Sequence, residues 1–187
     1  MTSSISVYSS ENTPWKEELM DTPLSLYSAS KQAIDSLAVF YNNQYDMKIK
    51  SFRLAQVLGL GERKGYLLNT LIDNAIRGEI QTIYGKGTGR RQYIYIKDVC
   101  DILLRAISQE SDKCGIYNVG MRDNISIIEL TEIINDVFEN PSGIRYIKYD
   151  NEDTREYLMS TKKVAEQLCL SPKHNIREAL EDIRDNI

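Results

Sequence analysis

The chain has 187 residues, of which 42% are hydrophobic and 27% charged, and its 23 Lys and Arg against 27 Asp and Glu leave a net charge of −4. A chain this long can bury a core of its own, and its acidic balance argues against a nucleic-acid-binding domain, which shows a basic face. No apolar run is long enough to span a bilayer, and three scattered cysteines without a signal peptide predict a reducing, cytoplasmic setting.

The first element is a predicted strand over Ser3–Val7, β-branched and rich in hydroxyls, followed by a polar loop through Pro14 and Pro23. A serine at the end of that strand is placed to face the next element. That element is a helix from about Tyr27 to Tyr45, with Ala33, Ile34, Leu37, Ala38 and Tyr41 at helical spacing. This stripe is expected to pack inward, leaving Tyr27 and Lys31 on a cleft. A tyrosine and a lysine four residues apart share one helix face. A phenol of pKa ~10 becomes a usable base at neutral pH only beside such a cation, so Tyr27 is a candidate general acid/base. Tyr93 and Lys97 repeat the spacing, but in a predicted strand.

Further strands are predicted near 49–58, 80–84, 92–96, 115–119 and 144–149, and helices near 66–77, 98–108, 126–139, 160–168 and 176–186. The alternation indicates an α/β fold. Ser126 and Glu129 form a predicted capping box for the helix that they open. Gly59-Leu-Gly-Glu-Arg-Lys-Gly65 lacks the Gly-x-Gly-x-x-Gly spacing that cradles a dinucleotide phosphate. Gly85, Gly87 and Gly89 read as a turn between strands, and Arg90 and Arg91 follow it with planar guanidiniums suited to phosphate. The single histidine, His174, and Cys100, Cys114 and Cys169 have no ligand-like spacing, which disfavours zinc and Ser-His-Asp chemistry. No metal is expected.

Ser3-Ser-Ile-Ser-Val-Tyr8, then Tyr27-x-x-x-Lys31, resembles the extended short-chain dehydrogenase/reductases, and within them the NAD-dependent nucleotide-sugar epimerases and dehydratases. Phe52-Arg-Leu-Ala-Gln-Val-Leu-Gly59, Ile83-Tyr-Gly-Lys-Gly87 with Arg91-Gln-Tyr-Ile-Tyr-Ile-Lys-Asp98, Ile116-Tyr-Asn-Val-Gly120 and Ser126-Ile-Ile-Glu-Leu130 are similar to further signatures of that family. Departures are Ser9 for a glycine, Gln56 for an asparagine, and Asp150 where a second phosphate-binding arginine stands.

The resemblance implies the C-terminal portion of a Rossmann-like fold with the smaller α/β substrate-binding domain. Residues 1–60 would be a remnant of the NAD-binding domain, and 61–187 mainly the sugar-nucleotide domain, with about 92–120 returning to the first. It assigns catalysis to Ser4, Tyr27 and Lys31, cofactor contacts to Tyr27, Lys31 and Leu54, and substrate contacts to Gln56, Arg91, Asp153 and Arg155. The cofactor would be NAD, with NADP as the alternative, and the partner a nucleotide-diphosphate sugar. A homodimer or other self-association is expected. Ile5 and Ser6 stand where dehydratases carry Asp-Glu, which favours a 4-epimerase, with a nucleotide-keto-sugar reductase as the alternative. Because no glycine-rich dinucleotide loop precedes Ser4, the chain alone is expected to be inactive, and a non-catalytic binding or scaffold protein is the reading from another class.

Overall fold

The computed structural model describes residues 1–63, 65–109 and 112–187. Three small sheets organise them. In the first, β1 (Thr2–Ser4), β2 (Lys50–Leu54) and β6 (Gly115–Val119) are parallel in the order β1-β2-β6. In the second, β5 (Arg90–Tyr95) lies between β3 (Gln56–Leu58), to which it is parallel, and β7 (Asn124–Ser126), to which it is antiparallel. β4 (Gln81–Tyr84) and β8 (Ile144–Ile147) form a parallel pair. Mixed helices and parallel strands confirm the expected Rossmann-like α/β class.

The helices are α1 (Leu26–Tyr45), α2 (Leu67–Ile76), α3 (Ile96–Ser108), α4 (Ile127–Val137), α5 (Lys162–Leu168) and α6 (Ile176–Asp185). The capping box at Ser126 and Glu129 forms as predicted, each side chain bonding the other's backbone N–H. The predicted strand 49–58 is two strands. The Ala55 N–H still donates to the Val119 carbonyl at 2.8 Å, the last rung of β2 on β6, and from Gln56 onward the chain pairs with β5 in the second sheet. Of the segment 92–120, β6 joins the first sheet, while β5 belongs to the second.

Two expectations are corrected. The first strand ends at Ser4, and Ile5–Val7 is a 3-10 turn capped by the Ser4 hydroxyl, which accepts from Ser6 N at 3.2 Å. A local side-chain acceptor displaced the extended backbone that the β-branched residues favour. The second concerns α1. Its buried residues are Ser28, Asp35 and Ala38, whereas Leu37, Phe40 and Tyr41 are exposed. The helix turns a polar face to the sheet because Ser51 and Arg53 of β2 rise beneath it to meet Asp35.

Two apolar cores hold the elements. One joins Phe52, Tyr117 and Val119 of the first sheet to Val99, Ile102 and Ala106 of α3 and to Val164 and Leu168 of α5. The other joins Leu58, Tyr93 and Tyr95 of the second sheet to α2, α4 and α6 through Leu68, Leu71, Leu130, Ile134 and Leu180. Each such side chain contributes about 1.5–3 kcal/mol by leaving water. β5 contributes to both cores, Ile94 to the first and Tyr93 to the second, because successive side chains of a strand face opposite ways.

Candidate functional site

Ser25 starts α1 by accepting from Ser28 N at 3.0 Å, while Ser28 Oγ receives the Ser25 N–H at 2.9 Å. This reciprocal cap places Tyr27 and Lys31 in the first turns, beside β1. Lys31 Nζ lies 5.5 Å from the Tyr27 ring centroid and donates to the Thr2 carbonyl at 3.1 Å. Tyr27 is 57% exposed, so its hydroxyl is open to a ligand. The other Tyr-x-x-x-Lys spacing does not pair: Tyr93 is buried in β5, and Lys97 lies in α3 and binds Asp182 at 2.7 Å.

The two serines of β1 divide their tasks. Ser3 is buried and donates to the Lys31 carbonyl at 3.3 Å, fastening the second turn of α1 to the strand. Ser4 closes the strand, half-buried, and its own proton has no acceptor among the described residues. The register sets Leu54 directly beside Ser4, where its side chain is half-buried against the first core. Gln56 opens β3 opposite Tyr93, and its amide makes no hydrogen bond among the described residues.

Beneath lies a network whose connectivity the sequence reading missed. Arg53 donates to Asp35 at 2.8 Å and to the Tyr8 hydroxyl at 2.6 Å, and Tyr8 donates to Asn118 Oδ1 at 2.7 Å. Burial pushes the Tyr8 phenol up to about 12, with Arg53 pulling the other way. Tyr8 therefore stays a neutral donor that ties the end of the 3-10 turn to β2 and β6.

The remaining predicted residues gather on a second face. Arg91 contacts Asp153 Oδ2 at 3.1 Å, and Arg155 contacts Asp153 Oδ1 at 2.8 Å. Both guanidiniums lie over Tyr157, at 4.3 and 5.2 Å from its centroid. One carboxylate between two guanidiniums leaves a net positive group. The Arg155 bond, helped by Tyr157 and Arg91, holds the Asp153 carboxyl well below the usual carboxylate range. Arg90 turns away, to Asn124 at 2.9 Å and Glu129 at 3.0 Å. Among the described residues Asp150 pairs with Lys148 alone, at 3.6 Å and near full exposure. Tyr157 was not singled out from sequence, because nothing local marks an aromatic that serves two distant arginines.

Among the described residues no group of His, Cys, Asp or Glu could hold a metal ion, and His174 instead bonds the buried Asp98 at 2.9 Å. The residues present fit the nicotinamide-ribose portion of a dinucleotide. Lys31 keeps donor capacity beyond its one bond to Thr2, and the exposed Tyr27 hydroxyl adds a further polar group. Of the glycine stretch 59–65, Lys64 lies outside the described residues. No described helix is long and apolar enough to cross a membrane.

A parallel sheet flanked by a helix that presents a tyrosine–lysine pair beside the first strand defines a Rossmann-like protein of the extended short-chain dehydrogenase/reductase class. The profile of the NAD dependent epimerase/dehydratase family matches residues 1–120, and the chain belongs to that family. Among curated relatives, UDP-glucuronic acid decarboxylase 5 of Arabidopsis thaliana is 28% identical over 158 residues, covering 83% of this chain and 46% of that protein. UDP-glucuronate 4-epimerase of Thermodesulfobacterium geofontis is 26% identical over 182 residues, covering 96% of this chain and 56% of the relative. The solved UDP-N-acetylglucosamine 4-epimerase from Bacillus cereus superposes with a TM-score of 0.88 at 28% identity, covering 99% of this chain and 63% of its own. The chain thus spans about half the length of the curated relatives it matches.

Proposed function

We propose that this chain carries the catalytic pair and the sugar-nucleotide groove of an NAD-dependent nucleotide-sugar 4-epimerase. The observation that carries the reading is Tyr27 with Lys31 beside its ring, next to the open Ser4 hydroxyl end of a parallel sheet. The names of the relatives above support a nucleotide-sugar substrate, and Ile5 and Ser6 lack the carboxyl groups that water elimination needs.

In this reading Tyr27 takes the proton of the sugar C4 hydroxyl, and Lys31 favours the charged phenolate that results. Ser4 donates its free proton to the reacting oxygen and steadies it. Bound NAD would supply the reversible hydride acceptor that inversion at C4 requires. Lys31 and the Leu54 edge of β2 would hold its nicotinamide ribose. Tyr27 would return the proton to the C4 oxygen. Gln56 contacts the sugar, while Arg91, Asp153 and Arg155 bind the diphosphate and its nucleoside. In this reading residues 1–60, with about 92–120 returning to them, form the cofactor side, and 61–187 mainly the substrate side.

The test joins this chain to an upstream βαβ dinucleotide-binding unit and follows C4 inversion of UDP-sugars by NMR with NAD present. Inversion is expected. Reduction of a 4-keto sugar without any inversion would overturn the epimerase assignment, and binding with neither reaction would overturn catalysis.

A further inference from the structure

Between β4 and β5 the chain turns through Gly85 and Gly87, whose φ angles of +89° and +71° belong to the left-handed region. This conformation aims successive backbone N–H groups at one point, a concavity of the kind that binds anions. The anion there is the protein's own. Glu152 Oε2 accepts from Lys86 N at 2.6 Å and Oε1 from Thr88 N at 3.0 Å. These bonds, with that of Gly87, hold its carboxyl below the usual carboxylate range. Packing is tight: a Cβ on Gly85 would stand 2.3 Å from Glu152 Oε2, and one on Gly89 would stand 2.1 Å from the Asp153 carbonyl.

The same turn leads into Arg91. Beyond it, Arg90 N donates to the Arg155 carbonyl at 3.1 Å and Tyr157 N to the Arg90 carbonyl at 3.0 Å. The stretch from Gly85 to Arg91 is thus clasped to residues 152–157 at two ends, by the Glu152 side chain and by backbone pairing. Loss of the carboxylate leaves the second clasp and three backbone bonds of the turn, from Gly85 N to the Ile147 carbonyl at 2.8 Å and from Ile128 N and Ile127 N to the Gly87 and Gly89 carbonyls at 3.1 and 3.2 Å, but strips the Lys86 and Thr88 N–H groups of their acceptor. Left-handed glycines let the turn reorient around those N–H groups, and the Arg91 guanidinium sits just past it.

We infer that Glu152 is a positioning residue: by filling the N–H nest of the glycine turn it fixes Arg91 in the orientation that receives a nucleoside diphosphate. This rests on the reading that Arg91 contacts the diphosphate. Glu152 itself touches no substrate and acts through the turn.

The test is calorimetric titration of the 187-residue chain with UDP, for the wild type, Glu152→Ala, Glu152→Gln, Arg91→Ala and the double variant Glu152→Ala with Arg91→Ala. Glu152→Ala is expected to weaken UDP binding about fivefold or more, and Glu152→Gln to recover most of the loss, since its amide oxygen still accepts from the turn. In the Arg91→Ala background Glu152→Ala is expected to add nothing, because residues acting through one contact are not additive. Additive losses would show a general structural role and overturn the inference. Unchanged or tighter UDP binding in Glu152→Ala would overturn it as well, the latter by showing that the nest takes phosphate itself. If Arg91→Ala is silent, or the wild type binds no UDP at millimolar concentration, the diphosphate reading fails and the inference with it. If Arg91→Ala weakens binding and Glu152→Ala does not, only the inference fails.

Discussion

Arg53 Nε stands 2.8 Å from Asp35 Oδ2, with the two side chains 3% and 4% exposed, so the helix that carries Tyr27 is bound to β2 by a buried ion pair. Ser51 Oγ donates to the other Asp35 oxygen at 2.7 Å, and Arg53 also donates to the Glu17 carbonyl at 3.2 Å. Asp35 accepts through both oxygens and Arg53 donates through Nε and Nη1, and these bonds make a buried charge tolerable.

Removing one partner leaves the other charge uncompensated in the interior. Asp35→Ala is therefore expected to destabilise the chain by about 3–5 kcal/mol, measured by urea unfolding. A loss below about 1 kcal/mol, the scale of an exposed pair, would show that the interior relaxes or hydrates around Arg53.

Much of this arrangement was legible from residues. The Tyr-x-x-x-Lys spacing placed Tyr27 and Lys31 on one face, and the Ser126 and Glu129 pattern gave a real cap. Inward and outward faces of α1 were not legible. The apolar stripe predicts the inner face, yet Asp35 is buried because its partners Ser51 and Arg53 come from β2, distant in sequence, while Ser28 is buried with its local cap partner Ser25. The split of strand 49–58 lies where the pairing partner changes from β6 at Leu54 to β5 at Gln56, a tertiary choice with no local signal. β7 was missed because its three residues, Asn124–Ser126, merge with the helix start. The Arg91, Asp153, Arg155 and Tyr157 cluster was half legible: family resemblance nominated three members, and only coordinates show that they share one carboxylate and one ring.

For catalysis, Tyr27→Phe in the protein joined to a dinucleotide-binding unit is expected to reduce turnover by roughly 10²–10⁴. Sugar-nucleotide affinity should stay nearly unchanged, since little contact area is lost. Lys31→Ala should lose turnover and weaken NAD binding together. A Phe variant that keeps a tenth of the wild-type rate would remove Tyr27 from the mechanism.

Arg91→Ala is expected to weaken nucleoside diphosphate binding by roughly 1.5–3 kcal/mol, the worth of a charge-assisted contact, while Arg90→Ala should leave it within a factor of two. The contrast follows from Arg90 being committed to Asn124 and Glu129. Equal effects of the two variants in calorimetry would contradict the assignment.

The raised Tyr8 phenol links stability to alkaline pH. Its folded value of about 12 exceeds the ordinary 10.0, so the unfolded chain releases that proton first. The contribution is complete below pH 10 and is lost as pH rises through about 12. Two pKa units correspond to about 2–3 kcal/mol. Urea unfolding across that window should show stability falling with pH, and the slope should be shallower in Tyr8→Phe. An identical slope in the variant would assign the loss to the other buried tyrosines.

Self-association is expected from the outward face of α1. Leu37, Phe40, Tyr41 and Tyr45 are 48%, 51%, 40% and 65% exposed, and Phe40 stacks edge-on with Tyr41 and Tyr45 at 5.5 and 6.3 Å. Apolar side chains grouped on one helix face mark an association surface. β1 adds a second exposed feature, since β2 is its only strand neighbour among the described residues; an uncovered edge can pair with another chain. The two routes separate by mutation. Light scattering of the chain at calorimetric concentrations should give a dimer or larger species, and Leu37→Glu with Phe40→Glu should shift it toward monomer if the helix face carries the contact. Association that persists in this variant would move the contact to the β1 edge, and a monomeric wild type would remove both routes.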